Sequence, residues 1–232
     1  MLTPLTREKM EQLIPLIATG KQYSYYWGKW SDVLNRLLIS VVGIVVVLIL
    51  SLLFGEQGEA LVLILGGVVS LYWLWCPVYQ ASRRNAANRR FKYSGFWRGR
   101  VLDVYLTEEL IGEEETVNQR GELVIIENRE RWINLVLGDR TGFKVEVQAP
   151  LERIYKGIKP GQTAELLVLS NKIDLSQINK ISDAFIPQRN IWVGQYPYLQ
   201  RDVFLEVSRQ LGGATPQRVR RQRNPRIKRR DR

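Results

Sequence analysis

The 232-residue chain has no histidine and a single cysteine, Cys76. The first absence removes the Ser–His and Cys–His nucleophile pairs and the usual zinc and haem ligand sets. The second removes any intramolecular disulfide. No Walker A loop, Rossmann glycine pattern or kinase signature occurs. What is left is a non-enzymatic reading, with no catalytic, cofactor-binding or metal-binding residue to nominate. A third absence says more. Leu37–Phe54 (LLISVVGIVVVLILSLLF) and Ala60–Tyr79 (ALVLILGGVVSLYWLWCPVY) hold no charged residue over 18 and 20 positions.

About 20 apolar residues, rising 1.5 Å each, cross the roughly 30 Å hydrocarbon core of a bilayer, where a helix satisfies its own amides. Each stretch is therefore expected to be a membrane helix. The connector Gly55–Glu59 can only reverse direction, so the pair reads as a hairpin. A buried hairpin in a soluble protein would show a polar stripe, and the first stretch offers only Ser40 and Ser51. A cleaved signal peptide is disfavoured, because 36 residues precede the first run and no small-residue cleavage site follows it.

Charge gives the orientation. The connector carries Glu56 and Glu59 and no Lys or Arg, whereas Arg83, Arg84, Arg89, Arg90, Lys92, Arg98 and Arg100 follow the second stretch. No acidic residue lies anywhere from Ala60 to Leu102, and Arg7, Lys9, Lys21, Lys29 and Arg36 precede the first stretch. Basic residues near helix ends stay on the cytoplasmic side. Both termini are therefore expected in the cytoplasm, or in the stroma of a plastid. Tyr23, Tyr25, Tyr26, Trp27 and Trp30 before the first helix, with Tyr72, Trp73, Trp75 and Tyr79 ending the second, suit one headgroup layer.

The net charge of +11 is concentrated in two places. One is the segment from Arg83 to Arg100. The other is the tail from Gly212, where nine Arg and Lys residues face only Asp231. The remainder is mildly acidic. The tail has almost no apolar content and is expected to be disordered in isolation. It could tether to anionic lipid, dock on an acidic protein, or bind nucleic acid or a ribosome. Beside a bilayer, where each cation is worth about 1 kcal/mol, lipid is the simplest of these and nucleic acid an unlikely partner.

Along the chain, Thr3–Ile17 reads as a short amphipathic helix capped by Thr3 and bent by Pro15. From Tyr93 the pattern turns to short strands: Phe96–Thr107, Glu122–Glu127, Trp132–Leu137, Phe143–Val147, Ala164–Ser170, Ile181–Pro187 and Ile191–Val193. A helix over Leu199–Leu211 closes the domain before Gly212–Gly213. Several short strands in this span point to a small barrel or sandwich. The acid run Glu113–Glu115 sends consecutive side chains to different sides and reads as a solvated loop, and Asp103, Glu108 and Glu109 as a solvated strand end. Neither apolar helix carries an ionisable group to mark a transport path. Gly66, Gly67 and Ser70 would let helices approach closely, within the hairpin or on a partner.

TREKMEQLIPLIATGKQYSYYWGKW, YSGFWRGRVLDV, EELIGEEETVNQRGELVIIENRERW and KPGQTAELLVLSN resemble a family of two-helix membrane proteins of cyanobacteria and chloroplasts, whose members are often labelled phosphate transporter permeases. The resemblance spans about Leu2 to Leu211 and transfers no catalytic or ligand residue. It implies a photosynthetic setting, in a thylakoid or cyanobacterial plasma membrane. Two-helix thylakoid proteins with a stromal domain are frequently assembly or stability factors, an analogy of layout alone. The permease label does not suit two uncharged helices.

The expected architecture is thus an α-helical membrane hairpin (37–54 and 60–79) with a cytoplasmic β-rich α+β domain over 93–212. An interfacial segment (1–36), a basic juxtamembrane segment (80–92) and a basic tail (213–232) complete it. The expected function is non-enzymatic assistance to a photosynthetic membrane complex. The alternatives are an accessory subunit of a transporter and a membrane-tethered ribosome or RNA binder. Arg83, Arg84, Arg89, Arg90, Lys92, Trp27, Trp30, Trp73 and Trp75 are the candidate membrane-surface residues, with an anionic bilayer as partner. Trp97, Arg98 and Arg100 are the candidate partner contacts, and Trp132 and Trp192 are either anchors or core.

Overall fold

The run AELLVLS, apolar but for Glu165 and Ser170, marks a strand buried on both faces, and the rest of the domain is arranged around it. The computed structural model describes residues 1–54, 59–117 and 123–211; the connector residues 55–58 and the tail 213–232 lie outside the described residues. The architecture is α+β. Eight antiparallel strands form one sheet: β1 (Leu2–Leu5), β2 (Tyr93–Val117), β3 (Leu123–Gly138), β4 (Lys144–Pro150), β5 (Thr163–Ser170), β6 (Lys180–Ile181), β7 (Ala184–Ile186) and β8 (Ile191–Val193). Their order is β4-β3-β2-β5-β7-β8, with β1 added to β2 and β6 to β5. The sheet curls until β4 and β8 touch, yet no ladder joins them among the described residues. A sandwich would need a second sheet; helices take that place.

β2 is the spine. Its first residues pair with β1 on one edge and with β5 on the other, and from Arg100 to Val117 it pairs with β3. β4 flanks β3 only from Trp132 to Gly138. Beyond that point β2 and β3 continue alone as a two-stranded ribbon, from the pair Glu108–Arg131 to the pair Val117–Leu123.

Alternation along the strands builds two cores, because successive side chains face opposite sides. Trp97, Leu135, Leu137, Leu166, Val168 and Ile186 pack on one face. Phe96, Leu167, Leu169 and Phe185 pack on the other. That second face is covered by α1 (Arg7–Leu13), through Met10 and Leu13, and by α6 (Arg201–Leu211), through Phe204 and Val207.

The first residues differ from the expected helix over 3–17. Leu2–Leu5 is an edge strand, where the missing amide of Pro4 costs no ladder bond. Thr6, not Thr3, caps α1, its hydroxyl accepting the Lys9 amide at 3.3 Å. The helix stops at Leu13, and Ile14 takes the extended conformation that a residue before proline needs.

Four more helices lie between Thr19 and β2. α2 (Gly20–Trp27) starts in a capping box formed by Thr19 and Gln22. α3 (Trp30–Phe54) is long and apolar, and only 17% of its most apolar window is buried. α4 (Glu59–Ser70) folds back on it, and Gly43 makes room for Val69: a Cβ there would sit 2.3 Å from Val69 Cγ1.

The second apolar stretch is not one helix over 60–79. It breaks at Leu71 by 73° between α4 and α5 (Tyr72–Asn88). Side chains at the break take the atoms a continuous helix would use. The Ser70 hydroxyl donates to Gly67 O at 3.0 Å, leaving the Leu71 amide 3.4 Å from the same oxygen. The Trp75 indole donates to Val68 O, and Ser40 Oγ accepts the Trp73 amide from α3. Pro77 contributes no amide for the carbonyl of Trp73.

Candidate membrane-surface site

The basic residues converge where α2 packs on α5. Gln22 and Asn85, both fully buried, exchange two amide hydrogen bonds across that interface. Arg84, one residue before Asn85, lies over the Tyr196 ring at 4.0 Å and donates to the Tyr198 hydroxyl at 2.7 Å. Burial works against its charge, but hydrogen bonds from Arg84 to the Tyr26 and Tyr198 hydroxyls hold the guanidinium firmly protonated. Lys180 Nζ lies 4.9 Å from the centre of the Tyr198 ring and donates to Asn88 Oδ1 at 2.8 Å.

Beside this node runs an open groove of about 610 Å³ lined by Tyr26, Gln80, Arg83, Arg84, Ala87 and Arg90. Arg89 points elsewhere, ion-paired with Glu11 at 2.8 Å. Arg7 completes that pairing, holding Glu11 at 2.7 Å and donating to the carbonyls of Arg89 and Phe91. Lys92 is exposed at the approach to β2.

The tryptophans divide by depth. Trp30, 73% exposed, opens α3, and Trp75 is exposed on α5. Trp27 and Trp73 are half-buried and meet edge to face at 6.0 Å, with the Arg36 guanidinium over Trp27 and bonded to its carbonyl.

The three expected partner contacts are not at this surface. Trp97 is fully buried in the core, its indole donating to Asp139 Oδ2 at 3.0 Å, so it offers nothing to a partner. Arg98 is spent on Glu165, an ion pair of 3.3 Å with a carboxylate that is almost completely buried. Arg98 and Arg100 line a cleft beside β1 with Leu2, Leu102 and Asp139, and no residue of α2–α5 lines it. Trp192 is core, its ring tilted against Phe185 with centroids 4.8 Å apart, and Trp132 is half-buried in β3.

Sequence reasoning missed a second cleft, of about 520 Å³, between α2, β8 and the start of α6. Lys21, Glu152, Tyr155, Asp183, Trp192 and Arg201 are among its walls. Asp183 Oδ1 accepts the Tyr198 amide at 3.2 Å, while Oδ2 is buried without a partner. Burial pushes this carboxyl up to about 7 against the opposing pull of Arg201. The available signal was an acid inside the apolar run ISDAFIP.

A curled antiparallel sheet backed by two helices, joined to an exposed apolar helix and a basic groove, defines the architecture. The chain belongs to a family of unknown function (DUF8619), whose model matches residues 3–222. No curated protein and no solved structure matches it.

Proposed function

We propose that the protein is a non-enzymatic accessory protein, held in a membrane by α3 and α4 with its sheet domain and both chain ends on the cytoplasmic or stromal side. It assists the assembly or stability of a photosynthetic membrane complex. The observation that carries the membrane reading is the outer surface of α3. Leu38, Ile39, Val42, Val45, Leu48 and Leu52 are all about half exposed or more, a continuous apolar face that no described residue covers. Such a face is stable in lipid and costly in water. The photosynthetic part of the reading rests on the family resemblance alone. α4 covers only about 18 Å, so the hairpin enters the bilayer with its return limb ending at the break, where Trp73 and Trp75 sit.

Alkaline carbonate should leave the protein in the membrane, and protease added from the cytoplasmic face should digest the sheet domain. A domain protected in that assay overturns the topology. Mild detergent purification of the tagged chain should bring photosystem or ATP synthase subunits; a substrate-binding protein with its ATPase would favour a transporter subunit instead.

A further inference from the structure

We propose that the groove on α5 is a site for the phosphodiester headgroup of one anionic phospholipid, clamped by Arg83 and Arg90. This rests on the membrane reading above and goes beyond general attraction to a charged surface. Three observations carry it.

The first is availability. Of the arginines near α5, Arg89 is paired with Glu11 and Arg84 is held by tyrosines. Arg83 and Arg90 line the groove, and their guanidinium groups have no hydrogen-bond or ion-pair partner among the described residues. Two guanidinium forks with no protein acceptor face the same space, and a fork matches phosphate oxygens two at a time.

The second is spacing. Arg83 and Ala87 are four residues apart on one face of α5, and Arg90 lies in the turn just past the last residue of that helix, Asn88. Ala87 lies between them and leaves the floor open. Both arginines line the same groove, so both can close on one phosphate. Tyr26 and Gln80 add a hydroxyl and an amide at the end nearer the apolar half of α5. Arg7 fixes the backbone beneath Arg90 by bonding the carbonyls on either side of it, at 89 and 91, which orders that end of the clamp in advance.

The third is depth, and it selects lipid over free phosphate. The 73° break turns α5 away from the direction of α4. If α4 follows the membrane normal, the length of α5 climbs only about 7 Å, comparable with the thickness of one headgroup layer. The exposed Trp75 and Tyr79 lie on the same helix and mark that layer. Basic pockets at this level are where anionic headgroups bind.

The test uses the full chain in detergent, with native mass spectrometry after addition of phosphatidylglycerol or phosphatidylcholine. One phosphatidylglycerol should be retained in preference to phosphatidylcholine. Arg83→Lys with Arg90→Lys keeps the charge but loses the fork, and should weaken retention about tenfold. Lys159→Gln removes an exposed charge in the turn before β5, outside the groove, and should leave retention unchanged. Equal losses in the two variants, or wild-type retention in the double lysine variant, overturns the site in favour of diffuse attraction. Displacement of the lipid by inorganic phosphate at similar concentration overturns the lipid assignment. Carbonate extraction of the same variants is scored separately: a protein that stays in the membrane without retaining phosphatidylglycerol overturns this inference alone.

Discussion

Gln22 and Asn85 are paired head to head: Gln22 Nε2 donates to Asn85 Oδ1 at 3.0 Å, and Asn85 Nδ2 donates to Gln22 Oε1 at 2.8 Å. Gln22 also accepts the Thr19 amide at 3.1 Å and donates to Pro197 O at 2.9 Å, so its amide is saturated without water. One buried side chain thus ties α2, α5 and the loop before α6. Removing one partner strands the other in a dry site, at a cost of about 1–3 kcal/mol. Gln22→Leu and Asn85→Leu should each lower the melting temperature in detergent. The double variant should lose clearly less than the two losses added together. Additive losses would mean that the pair carries no coupling.

Gly43, not the glycines of α4, is where the hairpin is tight. Gly43→Val should destabilise the detergent-solubilised protein by about 1–3 kcal/mol, the usual penalty for overpacking. Gly67 has nothing within 4 Å of an added Cβ, so Gly67→Ala should be neutral or slightly stabilising. Trimming the facing side chain with Val69→Ala should recover part of the Gly43→Val loss. If Gly67→Ala proves the more damaging, the helix pairing is wrong.

Asp183 gives the sheet domain a pH dependence of a definite sign. Its carboxyl is raised by burial to about 7, against roughly 4 in an unfolded chain. The folded state therefore holds a proton that the unfolded state releases. Stability from this group is full below about pH 4, declines as pH rises towards 7 by at most about 1.4 kcal/mol per unit, and is level above that. Glu165, also raised by burial, acts in the same sense. Asp183→Asn should flatten the decline between pH 5 and 7 in thermal melts. An unchanged slope would show that Arg201 keeps the carboxylate charged.

Cys76 is 3% exposed on α5 and accepts a hydrogen bond from Gln80 Nε2 at 3.3 Å. A small buried thiol whose polar neighbours are the Gln80 amide and the Tyr72 hydroxyl behaves as an apolar filler. Cys76→Ala should cost less than about 1 kcal/mol and leave partner recovery intact, and iodoacetamide should label the wild type only after denaturation. Rapid labelling of the native protein would expose a reactive thiol.

Local patterns made much of the sheet domain readable. The run at Ala164–Ser170 marked β5, the spacing of Val203, Phe204 and Val207 marked α6, and the signals at Phe96–Thr107 and Trp132–Leu137 fell within β2 and β3, whereas Glu113–Glu115, expected in a loop, continues β2. What could not be read depends on partners distant in sequence. The break at Leu71 is held by Ser40, thirty-three residues from Trp73, and by an indole that takes a carbonyl from the preceding turn. Composition alone makes Ala60–Tyr79 a uniform apolar run. Trp97 and Arg98 looked like surface residues because aromatic and basic side chains cluster there. Only the pairing of β2 with β5 shows that Trp97 faces inward and that Arg98 meets Glu165.

The β2–β3 ribbon has a consequence for what selection can act on. No described residue between Tyr105 and Trp132 belongs to either core, and Leu106, Leu110, Ile111 and Leu123 point into open space. Shortening both strands in step would leave every buried layer intact. The chain therefore spends some twenty residues on an extension from which its own folding gains little. The reason for keeping such a boom lies outside the molecule, at whatever distance its length is set to reach.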